Sequence, residues 1–395
     1  MKLKQLALSG LSMKQFDIAV IGGGMVGAAV AVGFARQGKR VAVVEYQQPK
    51  EFDVTQPMDL RVSAISQASV NFLEDLGAWK LIESMRACPY KRLETWDMPD
   101  CRTRFHSDSL NMDQLGFIVE NRLVQLGIWK VMADMDNITL MCPEGLESVE
   151  DHSDHRIVKL SSGELIQVQW VVGADGANSK VRDLAKIGVT AWDYRQHCML
   201  VNVKTAKPQQ DITWQQFTSS GPRSFLPLTG HQGSVVWYDS PEKIRALLAM
   251  NHQQLAEAIM TSFPAELGKI EVEQAGAFPL TRRHAQSYFQ KGCVLVGDAA
   301  HTINPLAGQG VNLGFKDVKA LLDFTADLGM TEQALSSYQS ERKRDNLLMQ
   351  TGMDVFYKVF KETFPPLAFA RNAALKLAEH SGPVKQQVLR YALGL

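Results

Sequence analysis

Cysteine is scarce in this chain of 395 residues: five, at 88, 101, 142, 198 and 293, with no CxxC pair. An odd number at such spacings excludes a complete disulfide framework, makes a structural metal site improbable, and fits a reducing cytoplasm. No run of about eighteen apolar residues occurs, so no segment reads as membrane-spanning. Neither sign of charge is in excess: Lys+Arg and Asp+Glu number 42 each, which leaves no field to gather nucleic acid or an acidic partner. A GxSxG elbow and a Ser/His/Asp signature are both absent, so nucleophilic hydrolysis has no candidate residues. The opening MKLKQLALSGLS lacks the long apolar stretch and cleavage site of a secretory signal. It reads as a disordered extension over 1–12, and Met1 and Met13 are both available as starts.

What is present is an ordered series of strand and turn signals. Asp17–Ile21 is a short apolar run, GGGMVG follows at once, Ala28–Gln37 reads as a small-residue helix closed by Gly38, and Arg40–Val44 is a second strand ending on Glu45. Short strands are expected at 138–140, 148–150, 156–160, 165–168 and 171–172, the last leading into GADG at 173–176. From Cys198 to Leu280, the stretches MLVNVK, TWQQF, SFLPL and SVVWY alternate as an antiparallel sheet does, with one helix over 241–263. Helical patterns fill the remainder, broken at Pro365-Pro366. The fold class expected is α/β: a Rossmann-like nucleotide-binding domain with an inserted antiparallel sheet domain and a helical C-terminal tail. Its segments would be 13–92, 119–195 and 283–350 for the nucleotide domain, 93–118 and 196–282 for the insert, and 351–395 for the tail.

Gly22-x-Gly24-x-x-Gly27 sits between strand and helix. The first glycine permits the tight turn, the second lets backbone approach a pyrophosphate, and the third allows close helix–strand packing. The helix N-terminus offers free N–H groups to phosphate. Glu45 is placed to accept from a ribose, and its charge would repel a 2′-phosphate. This motif alone serves FAD and NAD equally. A second glycine–aspartate site, in CVLVGDAAHTINPLAGQG over 293–310, separates them. Gly297 and Asp298 end a strand where a carboxylate can accept from ribityl hydroxyls. Pro305, Gly308 and Gly310 make a low-bulk turn that can lie against a flat ring. NAD has neither a ribityl chain nor an isoalloxazine, so FAD is the cofactor expected.

GGGMVG with Glu45, GADGANSKVR (173–182) and GDAAHTINPLAGQGVN (297–312) together resemble the single-component FAD aromatic hydroxylases that include para-hydroxybenzoate hydroxylase. That resemblance implies a role for Asp175 and Gly176 toward both FAD and a visiting NADH or NADPH. It matches Arg61 to the family's flavin-contacting arginine and maps Asn121, or Arg122 if the alignment slips by one, to the residue reaching the flavin from the next helix. Asn312 closes the second motif. ETWDMPD (94–100), LGFIVENR (115–122), AWDYRQHCML (191–200), AFPLTRRHA (277–285) and the terminal YALGL resemble the ubiquinone-biosynthesis hydroxylases, in particular those acting on 2-polyprenyl-3-methyl-6-methoxy-1,4-benzoquinol. The departures are residues 1–12 and Asn304, where a histidine is expected. The activity implied is ring hydroxylation with O2 through a flavin C4a-hydroperoxide, using a polyprenylated benzoquinol, with other ubiquinone-biosynthesis proteins as partners. Three readings stay open beside it: another flavin monooxygenase or a prenyl reductase (a halogenase's WxWxIP-type segment is missing), a non-catalytic flavoprotein scaffold, and a plain NAD dehydrogenase.

No residue presents itself as an obvious general base. His301, beside the GD motif, is a weak catalytic candidate whose simpler role is to cap the turn; His197 and His284 read as structural, and His152 and His155 as solvated. Phe217, Phe225, Pro227 and Leu228 are expected to floor an apolar substrate pocket or, equally, to be ordinary core. From Asp354 to Leu395, six Lys/Arg stand against three Asp/Glu among phenylalanines. Such a segment suits packing on its own domain, docking on a partner, or peripheral contact with an anionic membrane at the cytoplasmic face.

Overall fold

The computed structural model describes residues 13–303, 310–362 and 364–395. Two sheets organise it. The first has a parallel core in which Lys14–Ile21 lies between Leu165–Gly173 and Val41–Val44; Cys293–Leu295 pairs beyond the former and Ile138–Met141 beyond the latter. Ile18, Ala19, Val20 and Val41–Val44 are buried in one continuous apolar core, which is why these strands read as unbroken apolar runs. The small residues of helix Met25–Arg36 admit a close neighbour: a Cβ on Gly33 would lie 2.2 Å from Leu322 of helix Gly310–Thr325. The runs expected at 165–168 and 171–172 form one strand. Arg156 bridges their polar middle, donating to the Gln169 carbonyl at 2.8 Å and lying over Trp170.

The second sheet has eight strands, in the order His301–Thr302, Ile270–Ala285, Val189–Thr205, Gln232–Asp239, Arg223–Leu228, Ile212–Gln216, Arg92–Trp96 and Arg102–His106. All neighbours are antiparallel except Ile212–Gln216 with Arg92–Trp96. Val189–Thr205 and Ile270–Ala285 run across positions 195 and 282, so these two long strands are the stems that join the insert to the nucleotide-binding sheet. One face of the sheet sends Met199, Val201, Trp214, Phe225, Val235 and Trp237 into a core beneath two helices. Those helices, Pro241–Leu248 and His252–Ser262, replace the single one expected over 241–263. Asn251 breaks the run through a capping box: its side chain accepts from Gln254 N at 2.9 Å, and Gln254 returns the bond to Asn251 N at 3.1 Å.

Three helices end the chain: Glu332–Lys361, Pro365–Glu379 and Pro383–Leu393. Pro365 and Pro366 occupy the first helical positions of the second, where a missing N–H costs nothing. The tail closes on the sheets. Phe360 and Leu375 pack with Phe217, and Leu389 and Leu393 with Leu228 and Tyr90. No helix among the described residues is long and apolar enough to cross a membrane.

Candidate active site

The parallel strands end together at one edge, and the glycine motifs follow them there, where open α/β sheets bind nucleotides. Gly22 has φ +97°, and a Cβ on it would meet the Ala174 carbonyl oxygen at 2.4 Å; one on Gly27 would lie 1.8 Å from the Gly22 oxygen. Backbone leaves no room for either. Gly24 differs. Its φ of −65° suits any residue, and a Cβ would meet nothing within 4 Å. The protein's own packing does not require that glycine, so the space it keeps open at the helix N-terminus suits a phosphate. Glu45 accepts from Gly23 N at 2.6 Å and Gln47 N at 3.0 Å. On the other side, Gln125 Nε2 and Trp129 Nε1 donate to the Gly23 carbonyl at 2.9 and 2.7 Å. These two were missed in the sequence; the signal for them was an amide and an indole four residues apart on one helix face.

Asp175 caps the helix that follows it, one oxygen accepting from Lys180 N at 2.7 Å and Val181 N at 3.1 Å. Its other oxygen is buried with no partner in the protein. Gly176 adopts φ +79° with open space beside it. Arg122 is bound twice to Asp59, at 2.8 and 3.2 Å, and to the carbonyls of Lys50 and Glu51. Asn121 begins the helix, accepting from Ser63 Oγ at 2.7 Å. The Asn312 side chain binds Ser66 N, Ser69 Oγ and the Ala64 carbonyl, so it holds the strand after Arg61. Gly310 opens its helix with nothing beside it; Pro305 and Gly308 lie outside the described residues.

Asp298 keeps its surface open to solvent although protein crowds around it. Loss of solvation raises its pKa, an effect that His301 and Arg61 oppose. Behind it sits Asp317, fully buried. Burial alone would raise this acid, but His301, Arg342 and Asn346 bring it to about 2. It accepts from Gly297 N at 3.0 Å, His301 Nε2 at 2.5 Å, Arg342 Nε at 2.9 Å and Asn346 Nδ2 at 3.1 Å. Against an ionised carboxylate, that His301 nitrogen must carry the proton. His301 is thus 2 % exposed and engaged with Asp317, which orients the turn bearing Asp298.

Arg61 joins this edge to the second sheet: it lies 5.7 Å over the Phe278 ring and its charge reaches Asp298 and Cys198. The sheet face turned this way carries Cys198, Leu200, Val236, Tyr238, Phe278 and Leu280. The four expected pocket residues do not share a cavity. Phe225 is 1 % exposed in the opposite core, Pro227 alternates with it onto that face, Leu228 lies against the tail, and Phe217 stacks 4.0 Å from Phe360. His284 is buried against Gln350; loss of solvation, with the nearby His301, lowers its pKa to about 4. His197 is half-buried, and His152 and His155 stack on each other in a surface turn. All five cysteines are free, and burial pushes the Cys88 and Cys293 thiols up to about 12.

An unpartnered Asp175 oxygen, an open Gly24 and an accessible Asp298 at three points of one edge fit an elongated dinucleotide. The profile of the FAD binding domain family matches residues 15–346. The chain belongs to this family. Among its curated relatives, 3-demethoxyubiquinol 3-hydroxylase of Escherichia coli is 48 % identical over 96 % of this chain and 98 % of its own length. The mitochondrial ubiquinone biosynthesis monooxygenase of Danio rerio is 30 % identical over 95 % of this chain and 89 % of its own. Among solved structures, p-nitrophenol 4-monooxygenase of Pseudomonas putida superposes with a TM-score of 0.79 at 19 % identity, covering 96 % of this chain and 99 % of that one. The fold class, FAD and the monooxygenase assignment expected above stand on these matches.

Proposed function

We propose that this protein is an FAD-dependent monooxygenase of ubiquinone biosynthesis that hydroxylates the ring of 2-polyprenyl-3-methyl-6-methoxy-1,4-benzoquinol. The observation that carries this reading is the 48 % identity, nearly end to end, with a 3-demethoxyubiquinol 3-hydroxylase. FAD, when bound, supplies the activation of O2 and the transfer of one oxygen atom to the ring. The chain's own residues bind, orient and exclude water. Gly24 and the first turn of helix Met25–Arg36 receive the pyrophosphate, with Glu45 at the ribose of the adenosine. Asp298 accepts from the ribityl chain, and the open Asp175 oxygen and Gly176 serve FAD and the NADH or NADPH that reduces it. Arg61 stands between Asp298 and the apolar face of Leu200, Val236 and Phe278, where a quinol ring would be held dry. His301 is engaged with Asp317 and His284 with Gln350, so each serves to position rather than to face the ring.

Deleting the gene in its host tests the substrate. Accumulation of the demethoxy precursor, relieved by the intact gene, is the expected result. Accumulation of a precursor of a different ring hydroxylation would overturn the assignment. Purified protein with labelled O2 should place one labelled atom in the product.

A further inference from the structure

Helix Pro365–Glu379 is amphipathic the wrong way round for a chain in water. One side is tied to the edge strand Arg102–His106 and the turn before it. Asn372 donates to Asp97 at 2.8 Å and accepts from Met98 N at 3.2 Å. Arg371 binds Asp97 at 2.7 Å, the Leu375 carbonyl accepts from Thr103 Oγ1 at 3.0 Å, and Glu379 accepts from Arg104 N at 2.7 Å. These contacts fix the rotation of the helix, so what faces outward is dictated. At 100° per residue, the outward arc holds Pro366, Leu367, Ala370, Ala373, Ala374 and Leu377, with no polar residue among them. Leu377 is 73 % exposed, and Phe369, on the shoulder of the arc, 77 %. Phe364, just before the helix, is 61 % exposed. An apolar ridge presented by a firmly seated helix marks a contact surface.

We propose that this ridge docks the protein on an anionic lipid surface. From Val355 to Ala378 the chain exposes Lys358, Lys361 and Lys376 against the carboxylate Glu362, Arg371 being engaged with Asp97. The acids that flank this stretch in the chain are turned inward, Asp354 to Arg282 and Tyr194, Glu379 to Arg104 N and Lys385. Cations around an apolar ridge match negatively charged headgroups over acyl chains. A protein partner is disfavoured by size. From Pro366 to Leu377 the ridge is about 18 Å long and about 10 Å wide, roughly 180 Å², against about 800 Å² per side in a stable protein interface. The docking stands on the helix itself; its purpose, delivery of a polyprenylated ring, rests on the function proposed above.

The test is sedimentation of the full-length, FAD-loaded protein with vesicles, without quinol. Vesicles of phosphatidylcholine mixed with phosphatidylglycerol should carry the protein down, and pure phosphatidylcholine far less. Phe369→Glu with Leu377→Glu should lower the bound fraction roughly tenfold or more while FAD retention and the thermal midpoint stay as in the parent. Lys358→Glu with Lys376→Glu should abolish the preference for anionic vesicles. No binding by the parent, or equal binding by the Glu variants, would overturn the proposal. A dimer in solution that Phe369→Glu dissociates would also overturn it, assigning the ridge to a second copy. Product identity, measured separately on detergent-dispersed quinol, tells a failure of docking from a failure of the substrate assignment.

Discussion

Replacing Asp317 with Asn keeps shape and one acceptor but removes the charge on which four hydrogen-bond donors converge. The Arg342 guanidinium, 4 % exposed, and His301, 2 % exposed, would then lie buried opposite a neutral amide. Breaking a buried ion pair from one side costs about 3–5 kcal/mol, a large share of the ~5–15 kcal/mol that holds a domain folded. Part of that loss depends on pH. The Asp317 carboxyl falls from 3.8 to about 2 on folding, worth about 2 kcal/mol at 1.36 kcal/mol per unit. A depressed acid contributes in full above 3.8, and the contribution drains away as pH falls toward 2. The parent should therefore weaken across that window, and the variant, already lacking the term, should show a shallower acid limb. The same change releases Gly297 N and loosens the turn carrying Asp298, so FAD should dissociate more readily. Urea unfolding at pH 7 and pH 3 and a flavin fluorescence titration measure all three effects. Unfolding energies within about 0.5 kcal/mol of the parent at pH 7, together with unchanged FAD affinity, would refute the reasoning.

Gly24→Ala and Gly27→Ala form a diagnostic pair. The first should leave the apoprotein's thermal midpoint unchanged and reduce FAD retention, because its Cβ enters open space; the second should fail to fold stably, because its Cβ lies 1.8 Å from backbone oxygen. His284, lowered from 6.5 to about 4, stays neutral in the folded chain while the unfolded chain takes up a proton below 6.5. Stability should thus fall by about 3 kcal/mol between pH 6.5 and 4, and His284→Gln should flatten that slope in denaturant titrations. Phe225→Ala should cost about 3–5 kcal/mol in unfolding with KM for quinol unchanged. Phe278→Ala, beside Arg61, should raise KM with a smaller loss of stability.

The cofactor edge was legible because its determinants are local. A tight turn needs Gly22 wherever it occurs, and an aspartate ending a strand announces itself within six residues. The insert was harder. TWQQF and SFLPL reveal alternation, but which half faces the cofactor depends on the helices at 241–248 and 252–262 covering the other half. Phe225 therefore turns into the opposite core on information that its own segment does not contain. The break at Asn251 was readable as a capping box inside a helical pattern, where continuous periodicity masked it. Asn121 and Arg122 could not be ranked without the position of Asp59, sixty residues earlier in the chain. The convergence on Asp317 left no sequence signal, since its partners come from two further segments, 297–301 and 342–346, joined only by the fold.

The order of the pieces has a consequence for how the protein is made. Gly24 and Asp298, which on the proposed assignment would serve opposite ends of one cofactor, are separated by 274 positions, and the strand Cys293–Leu295 joins its sheet only after the whole insert has been synthesised. At about 5–20 residues per second, a ribosome would expose the first half of the cradle roughly 15–55 s before the second. During that interval the strand Leu165–Gly173 waits without the partner that Cys293–Leu295 provides. On that assignment, complete cofactor capture is a late event in the life of the nascent chain.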